Sequence, residues 1–360
     1  MEKVTTDRKV TIGVLVILAF FTLTMFWISS KLTFGMDEYV FYRLSNDLPS
    51  YRTDPAWIYI DNPFVLMEDD PRGAERIYEV VQGTYTTEIY GHGPLAPVIV
   101  WPLVKLFGDG IYIGEKGIMA VRTFSIGLSL LTLYLIFLIM RRKVGNNAIL
   151  FAFPIVLVGR LFAGTMWFYW DVFMLFFFVL TLYLVETKKG PGWLPFIIAI
   201  AMVNTKMFLG VAFLLPLVFK DKRFALCALS IIPWWLTSVA VTGDWLFWIH
   251  HYWAQVPFHN EIYTKLAWYF TVWRMDFVLF YIVTLGSVTL IKKHPTYVLF
   301  FLMTLVYGFG TGLGISQTSA IVYGGALVFP LLADKLIRRI DTSTCPACGQ
   351  PRHEDMSVHP

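Results

Sequence analysis

Charged side chains are what this sequence has least of. Asp, Glu, Lys and Arg together make 15% of its 360 residues, short of the roughly one quarter usual in soluble domains, so an ordinary water-soluble fold is excluded. Cysteine is as sparse: there are three, and Cys227 stands alone in an apolar run, so no disulfide framework is expected. Only three basic residues precede the first apolar segment and no small-residue cleavage site follows it, so that segment is read as a retained span rather than a removed leader. The formal net charge of +4 argues for no partner by its size.

What is present is hydrophobic, at 57% of residues, and aromatic, with 31 Phe, 18 Tyr and 13 Trp. The apolar residues fall in repeated blocks of about twenty, the length that crosses ~30 Å of hydrocarbon as a helix. The pattern predicts an all-α polytopic membrane protein of about ten spans. These are Val10–Ser30, Gly117–Met140, Asn147–Phe162, Trp170–Val185, Trp193–Asn204, Met207–Phe219, Phe224–Val241, Ala267–Ile291, Thr296–Thr311 and Ile315–Leu332. The pair around Lys206 is short for a full crossing, which suits tilted, broken or re-entrant helices. Basic clusters at Lys3/Arg8/Lys9, Arg141–Lys143, Lys188/Lys189, Lys220–Arg223, Lys292/Lys293 and Lys335–Arg339 then all share one side. The positive-inside rule makes that side cytoplasmic, with both termini inside and the plasma membrane as the expected location.

The membrane domain is expected over 1–340, with a large external loop at 31–116 and a cytoplasmic polar tail at 341–360. That loop holds 13 acidic residues against 7 basic ones, a net charge of −6 that makes nucleic acid a poor partner. Within it Asp70-Pro71 opens a short helix as cap and first-turn proline. Residues 94–107 are apolar but carry Pro97 and Pro102, which predicts an interfacial or re-entrant helix pair. In the tail, Cys345 and Cys348 have the spacing of half a zinc knuckle that His353 and His359 could complete. A structural zinc module usually has more chain around it than this tail offers.

The chemistry is expected where ionisable groups meet apolar segments. Asp37 and Glu38 follow the first span directly, while Arg122, Arg160, Asp171 and Lys206 sit in or beside apolar runs. A charge near the bilayer centre costs ~2.5–3.5 kcal/mol on insertion scales, so such residues face a cavity, a partner or a substrate. The expected topology puts Arg122, Asp171 and Lys206 near the external level beside Asp37 and Glu38. Acids facing bases there suit a reaction on a membrane-anchored anion, the bases holding phosphate and the acids moving a proton. An ion-pair network that only fixes helix packing is the blander account. The loop at 243–265 adds His250 and His251 among three tryptophans, two tyrosines and Gln255, a set fit to stack on and bond a sugar, or simply an interfacial aromatic belt.

In order and depth these elements resemble the GT-C superfamily of membrane glycosyltransferases, in particular the branch of protein O-mannosyltransferases and aminoarabinose lipid A transferases. The motifs are Met36-Asp37-Glu38-Tyr39 after the first span, then Tyr90-Gly-His92-Gly-Pro-Leu-Ala-Pro and Leu106-Phe107-Gly108. Val121-Arg122 follows, opening a span that closes on Arg141-Arg142, then Trp170-Asp171 at a membrane edge, and Asn204-Thr-Lys206-Met207 between two short helices. The match covers about the first 220 residues. It departs from the family at Gly93-Pro94, where relatives have two prolines, and at Trp167-Phe168-Tyr169, which replaces an acid.

The resemblance implies an inverting glycosyltransferase. Its donor would be a polyprenyl-phosphate-linked sugar in the membrane, and its acceptor a protein, lipid or glycan. It implies Asp37 as the base, with Glu38 as alternative or orienting group. Lys206 and Arg122 would hold the lipid phosphate, with His92 and Arg160 behind them, and Asp171 would align a cation. No catalytic metal or other cofactor is expected. Two rivals stand beside it: a transporter, against which the halves of the chain show no parallel span pattern, and a catalytically silent membrane subunit of the same fold.

Overall fold

The computed structural model describes residues 8–29, 95–107, 115–157, 170–246, 283–310 and 315–342, and every regular element among them is helical. In chain order these are α1 (Arg8–Ser29), α2 (Leu95–Phe107), α3 (Glu115–Val144), a 3-10 segment (Gly145–Ala152) and α4 (Phe153–Leu157). Then come α5 (Trp170–Thr187), α6 (Leu194–Thr205), α7 (Met207–Val218), a second 3-10 segment (Lys222–Ile231), α8 (Ile232–Thr242), α9 (Pro295–Gly310) and α10 (Ile315–Thr342). Four helical stretches, Arg8–Ser29, Met119–Ile155, Trp170–Thr187 and Ala320–Arg339, are long and apolar enough to cross a membrane. Leu95–Phe107, Leu194–Thr205, Met207–Val218 and Pro295–Tyr307 are shorter apolar helices.

The first helix shows why the bundle needs lipid around it. Val14, Leu18, Phe21 and Met25 recur at helical spacing and are buried against the bundle, while Leu15, Val16, Phe20, Leu23 and Trp27 on the other face are exposed. Both faces are apolar, which suits a helix with protein on one side and hydrocarbon on the other. Hydroxyls inside such helices are hidden locally: Thr22, Thr132 and Thr181 each donate to the carbonyl four residues back, at 2.7, 2.7 and 2.8 Å.

The chain reverses at Gly145, whose φ of 59° lies in the left-handed region. The rings of Phe137 and Phe151 are 5.9 Å apart. In a straight helix fourteen residues would separate them by ~21 Å, so the stretch Met119–Ile155 is a hairpin. A second reversal is tighter. Lys206 alone separates α6 from α7 and has φ −141° and ψ 85°, which breaks the helix. At Gly210 a Cβ would lie 2.7 Å from Val203 Cα and 2.9 Å from Met202 O, so only glycine lets the two helices of this V approach.

The short pair expected around Lys206 is therefore there as α6 and α7. The segment at 94–107 differs from expectation, being one helix from Leu95 to Phe107 rather than a pair. Pro97 falls in its first turn, where the missing N–H removes no intrahelical bond, and Pro102 is carried inside. The expected span at Asn147–Phe162 begins in 3-10 form, and of the expected span at Ala267–Ile291 only 283–291 lies among the described residues. In the middle of the bundle Phe178, Phe213 and Phe300 meet, with Phe178 stacked on Phe300 at 4.0 Å and Phe213 5.4 Å from Phe300. Polar clusters lie on either side of this aromatic layer, along α5 and α9.

Candidate functional site

Three elements converge on one buried cluster. Asp171 stands in the first turn of α5, Lys206 at the apex of the α6–α7 V, and Tyr307 on α9. Lys206 Nζ donates to Asp171 Oδ1 at 2.9 Å and Oδ2 at 3.1 Å, and to the Tyr307 hydroxyl at 2.7 Å. Tyr307 in turn donates to Asp171 Oδ1 at 2.7 Å. Asp171 is 0% exposed and Lys206 7%. Such a pair stands in low dielectric only because each charge has its opposite and the lone pairs and protons are bonded. The Lys206 ammonium also lies 5.2 Å from the Tyr307 ring centroid, so the same ring supplies a cation–π contact.

The two arms of the V are short. The V is built from helices of 12 residues each, ~18 Å at 1.5 Å per residue, which is well short of a ~30 Å hydrocarbon layer. Thr205, Lys206 and Met207 are all buried, so the broken backbone is enclosed in protein, the condition under which irregular backbone is tolerated at membrane depth.

Arg122 lies at the same level. Its helix and α5 touch through Phe124 and Phe173, whose rings are 5.8 Å apart, and Arg122 and Asp171 each stand two residues ahead of those rings. The guanidinium is 0% exposed and donates from Nη1 to the Ser29 carbonyl at 3.0 Å. It satisfies one of the carbonyls that the C-terminus of α1 leaves without an intrahelical partner, and so ties the end of the first span to the start of α3.

Of the residues singled out from the sequence, the structure joins Asp171 to Lys206 and sets Arg122 at their level. Asp37, Glu38, His92, Arg160, His250 and His251 lie outside the described residues, as do Cys345, Cys348, His353 and His359. Among the described residues no group of His, Cys, Asp and Glu could hold a metal ion. Tyr307 was missed by the sequence reading. It stands in the apolar aromatic run Leu305-Val306-Tyr307-Gly308-Phe309, where nothing separates it from lipid-facing or interfacial aromatics.

At the other end of the bundle Glu186 accepts from Lys143 at 2.7 Å, Lys220 at 2.5 Å and the Tyr297 hydroxyl at 2.7 Å. Here the ends of α3 and α5, the residue Lys220 just past α7 and the start of α9 are clamped together. Nearby, Asn147 donates to Asp334 at 3.0 Å, joining the first 3-10 segment to α10. These basic residues are the ones the sequence reading placed on a single side, and among the described residues Lys143, Lys220, Arg142 and Lys335 do share one end.

The architecture is that of a polytopic membrane protein, all helical among the described residues, with four stretches long and apolar enough to span. Its fold is similar to that of a solved structure, ArnT from Cupriavidus metallidurans bound to undecaprenyl phosphate, at TM-score 0.52 and 14% identity over 91% of this chain. The match takes in 61% of that longer chain, so this chain spans about three fifths of the length of the protein it resembles. No protein-family model matches the sequence, and no curated protein matches it.

Proposed function

We propose that this chain is an inverting membrane glycosyltransferase that takes its sugar from a polyprenyl-phosphate-linked donor. The observation that carries the reading is the buried Lys206–Asp171–Tyr307 cluster at a helix break within the bundle. The fold is shared with a protein solved with undecaprenyl phosphate bound. Lys206 and Arg122 are the cations for the lipid phosphate, with His92 and Arg160 in support. In the proposal ten spans carry the chain, both termini are cytoplasmic and the site opens at the external face of the plasma membrane. The acceptor is a protein, lipid or glycan.

The chemistry balances without a redox partner. An acceptor hydroxyl oxygen bonds to the anomeric carbon as the bond from that carbon to the phosphate oxygen breaks. The bonding pair leaves with the phosphate, and the hydroxyl proton passes to the Asp37 carboxylate, with Glu38 as alternative. Cations set beforehand around the leaving phosphate lower the barrier because its negative charge grows in the transition state. Tyr307 makes this possible at Lys206. Its hydroxyl accepts from Lys206 while donating to Asp171, so a phosphate oxygen could take its place on the ammonium without breaking the Lys206–Asp171 pair. His250 and His251, with the tryptophans around them, are proposed to contact the sugar or acceptor.

Incubating the purified full chain with a panel of polyprenyl-phosphate sugars, and following hydrolysis and transfer separately, tests the reading. Asp37→Asn should keep donor binding and lower transfer ~10²–10⁴-fold. Lys206→Met should weaken both. Asp37→Asn protein that transfers like the parent moves the base to Glu38 or Asp171.

A second reading has its own observation. Lys206 already donates to both Asp171 oxygens and to Tyr307, as in an ion pair that serves packing alone. A silent subunit would then bind no donor, and Lys206→Met would change stability but no transfer.

A further inference from the structure

The structure points to a second anion site at the basic end, built on Glu186, and we propose that it holds the phosphomonoester headgroup of a membrane lipid. Three cations are fixed on this one residue. Lys143 and Lys220 bond to its carboxylate at 2.7 and 2.5 Å, and Arg142 Nη1 donates to its backbone carbonyl at 2.8 Å. With one carboxylate among three cations, the group carries a charge of +2. A phosphate monoester carries about −1.5 to −2 at neutral pH, whereas the phosphodiester of an ordinary anionic lipid carries a single charge.

The spacing fits as well as the charge. The two carboxylate oxygens are about 2.2 Å apart, so the lysine ammoniums are no more than about 7.5 Å from one another. Two phosphate oxygens with a charge-assisted hydrogen bond on each reach across about 8 Å. The ammoniums are also held in place. They lie 5.9 and 5.2 Å from the centroid of the Tyr297 ring, whose hydroxyl donates to Glu186 at 2.7 Å. Each lysine uses one proton on the carboxylate and has others to give.

Exposure says from where the ligand comes. The Glu186 side chain is 10% exposed, while the lysine side chains are 26% and 27% exposed, so the glutamate lies beneath and the two lysines form the rim. That rim is made where the spans α3 and α5 end, the level at which lipid phosphates lie, and basic pockets between spans at this level hold lipid headgroups. The Lys206 cluster differs in each respect, being neutral as a pair and nearly closed.

The full chain in nanodiscs of phosphatidylcholine alone, with phosphatidic acid, or with twice as much phosphatidylglycerol to match the charge, decides the matter by lipid retention. Phosphatidic acid should be retained at about one per chain, and Lys143→Gln/Lys220→Gln should reduce retention about tenfold or more, at roughly fivefold for each lysine. Lys143→Arg/Lys220→Arg should keep it, and Lys335→Gln, outside the group, should leave it unchanged. Where the double glutamine variant does not fold, the exposed Arg142→Gln should still lower retention severalfold. Equal retention of phosphatidylglycerol, retention untouched by Arg142→Gln, or displacement by millimolar inorganic phosphate would each overturn the proposal. The first would leave only surface charge, and the last a soluble ligand.

Discussion

The two polar clusters are made from the same parts on the same two helices, and they differ in stoichiometry. α5 supplies Asp171 to one and Glu186 to the other, and α9 supplies Tyr307 and Tyr297. At the buried cluster one acid meets one lysine; at the basic end one acid meets two lysines and an arginine. A one-to-one pair can be taken from water because its charge sums to zero, whereas an excess of two positive charges must remain at an interface. Between them lies an apolar layer, Phe178 stacked on Phe300 and Phe213 packed at a tilt against Phe300, that separates the two clusters.

Removing the acid from each cluster is the strongest test of that difference. Asp171→Ala leaves the Lys206 ammonium buried without its counter-charge and should cost about 3–5 kcal/mol of stability. Glu186→Ala lets Lys143 and Lys220 turn to water and should cost no more than about 1–2 kcal/mol. Thermal unfolding of both in one detergent gives the comparison, and equal losses would show that the deeper pair is not as sealed as its exposure says. The double change Asp171→Leu/Lys206→Met should recover most of the stability without recovering donor binding.

A smaller effect is expected at the hinge that carries Lys206. Gly210→Ala puts a Cβ 2.7 Å from Val203 Cα, so the V must open, at a cost of about 1–3 kcal/mol. Because the apex moves with it, donor affinity should fall although no charged group has changed. Gly127→Ala, where a Cβ meets nothing within 4 Å, is the matched control.

Tyr307→Phe removes the hydroxyl that joins Lys206 to Asp171 and should cost about 1–2 kcal/mol. Tyr297→Phe should cost less, since the rim it supports is partly wet. If Tyr307 yields its place on Lys206 to phosphate, the loss from Tyr307→Phe should shrink when donor is bound. A loss that is the same with and without donor removes that role.

The smallest effect is a pH dependence at the basic end. His294 is held below its ordinary value of 6.5, first by burial and then by Lys143, Lys293 and Lys220, with Glu186 acting the other way. The folded protein therefore binds a proton there less readily than the unfolded chain. Stability from this site is full above pH 6.5 and declines as pH falls below it towards the lowered folded value. Melting temperature measured across that range should drop less in His294→Phe than in the parent. An equal drop in both assigns the pH dependence to other groups.

The sequence by itself determined that the chain is a membrane-embedded helical bundle, because apolar runs of spanning length with scarce charge admit no other solvent. It also marked Lys206 as lying between two short helices and Asp171 as opening another, since a charge in an apolar run is conspicuous. The partnership between them was decided only by the tertiary structure, because residues 35 positions apart meet only when the V docks against α5. Tyr307 and Glu186 were not legible for the opposite reason: a tyrosine among aromatics and a glutamate beside lysines are ordinary neighbours in sequence. Packing of α9 against α5 gives each its role, placing Tyr307 on the sealed pair and Tyr297 on the Glu186 carboxylate.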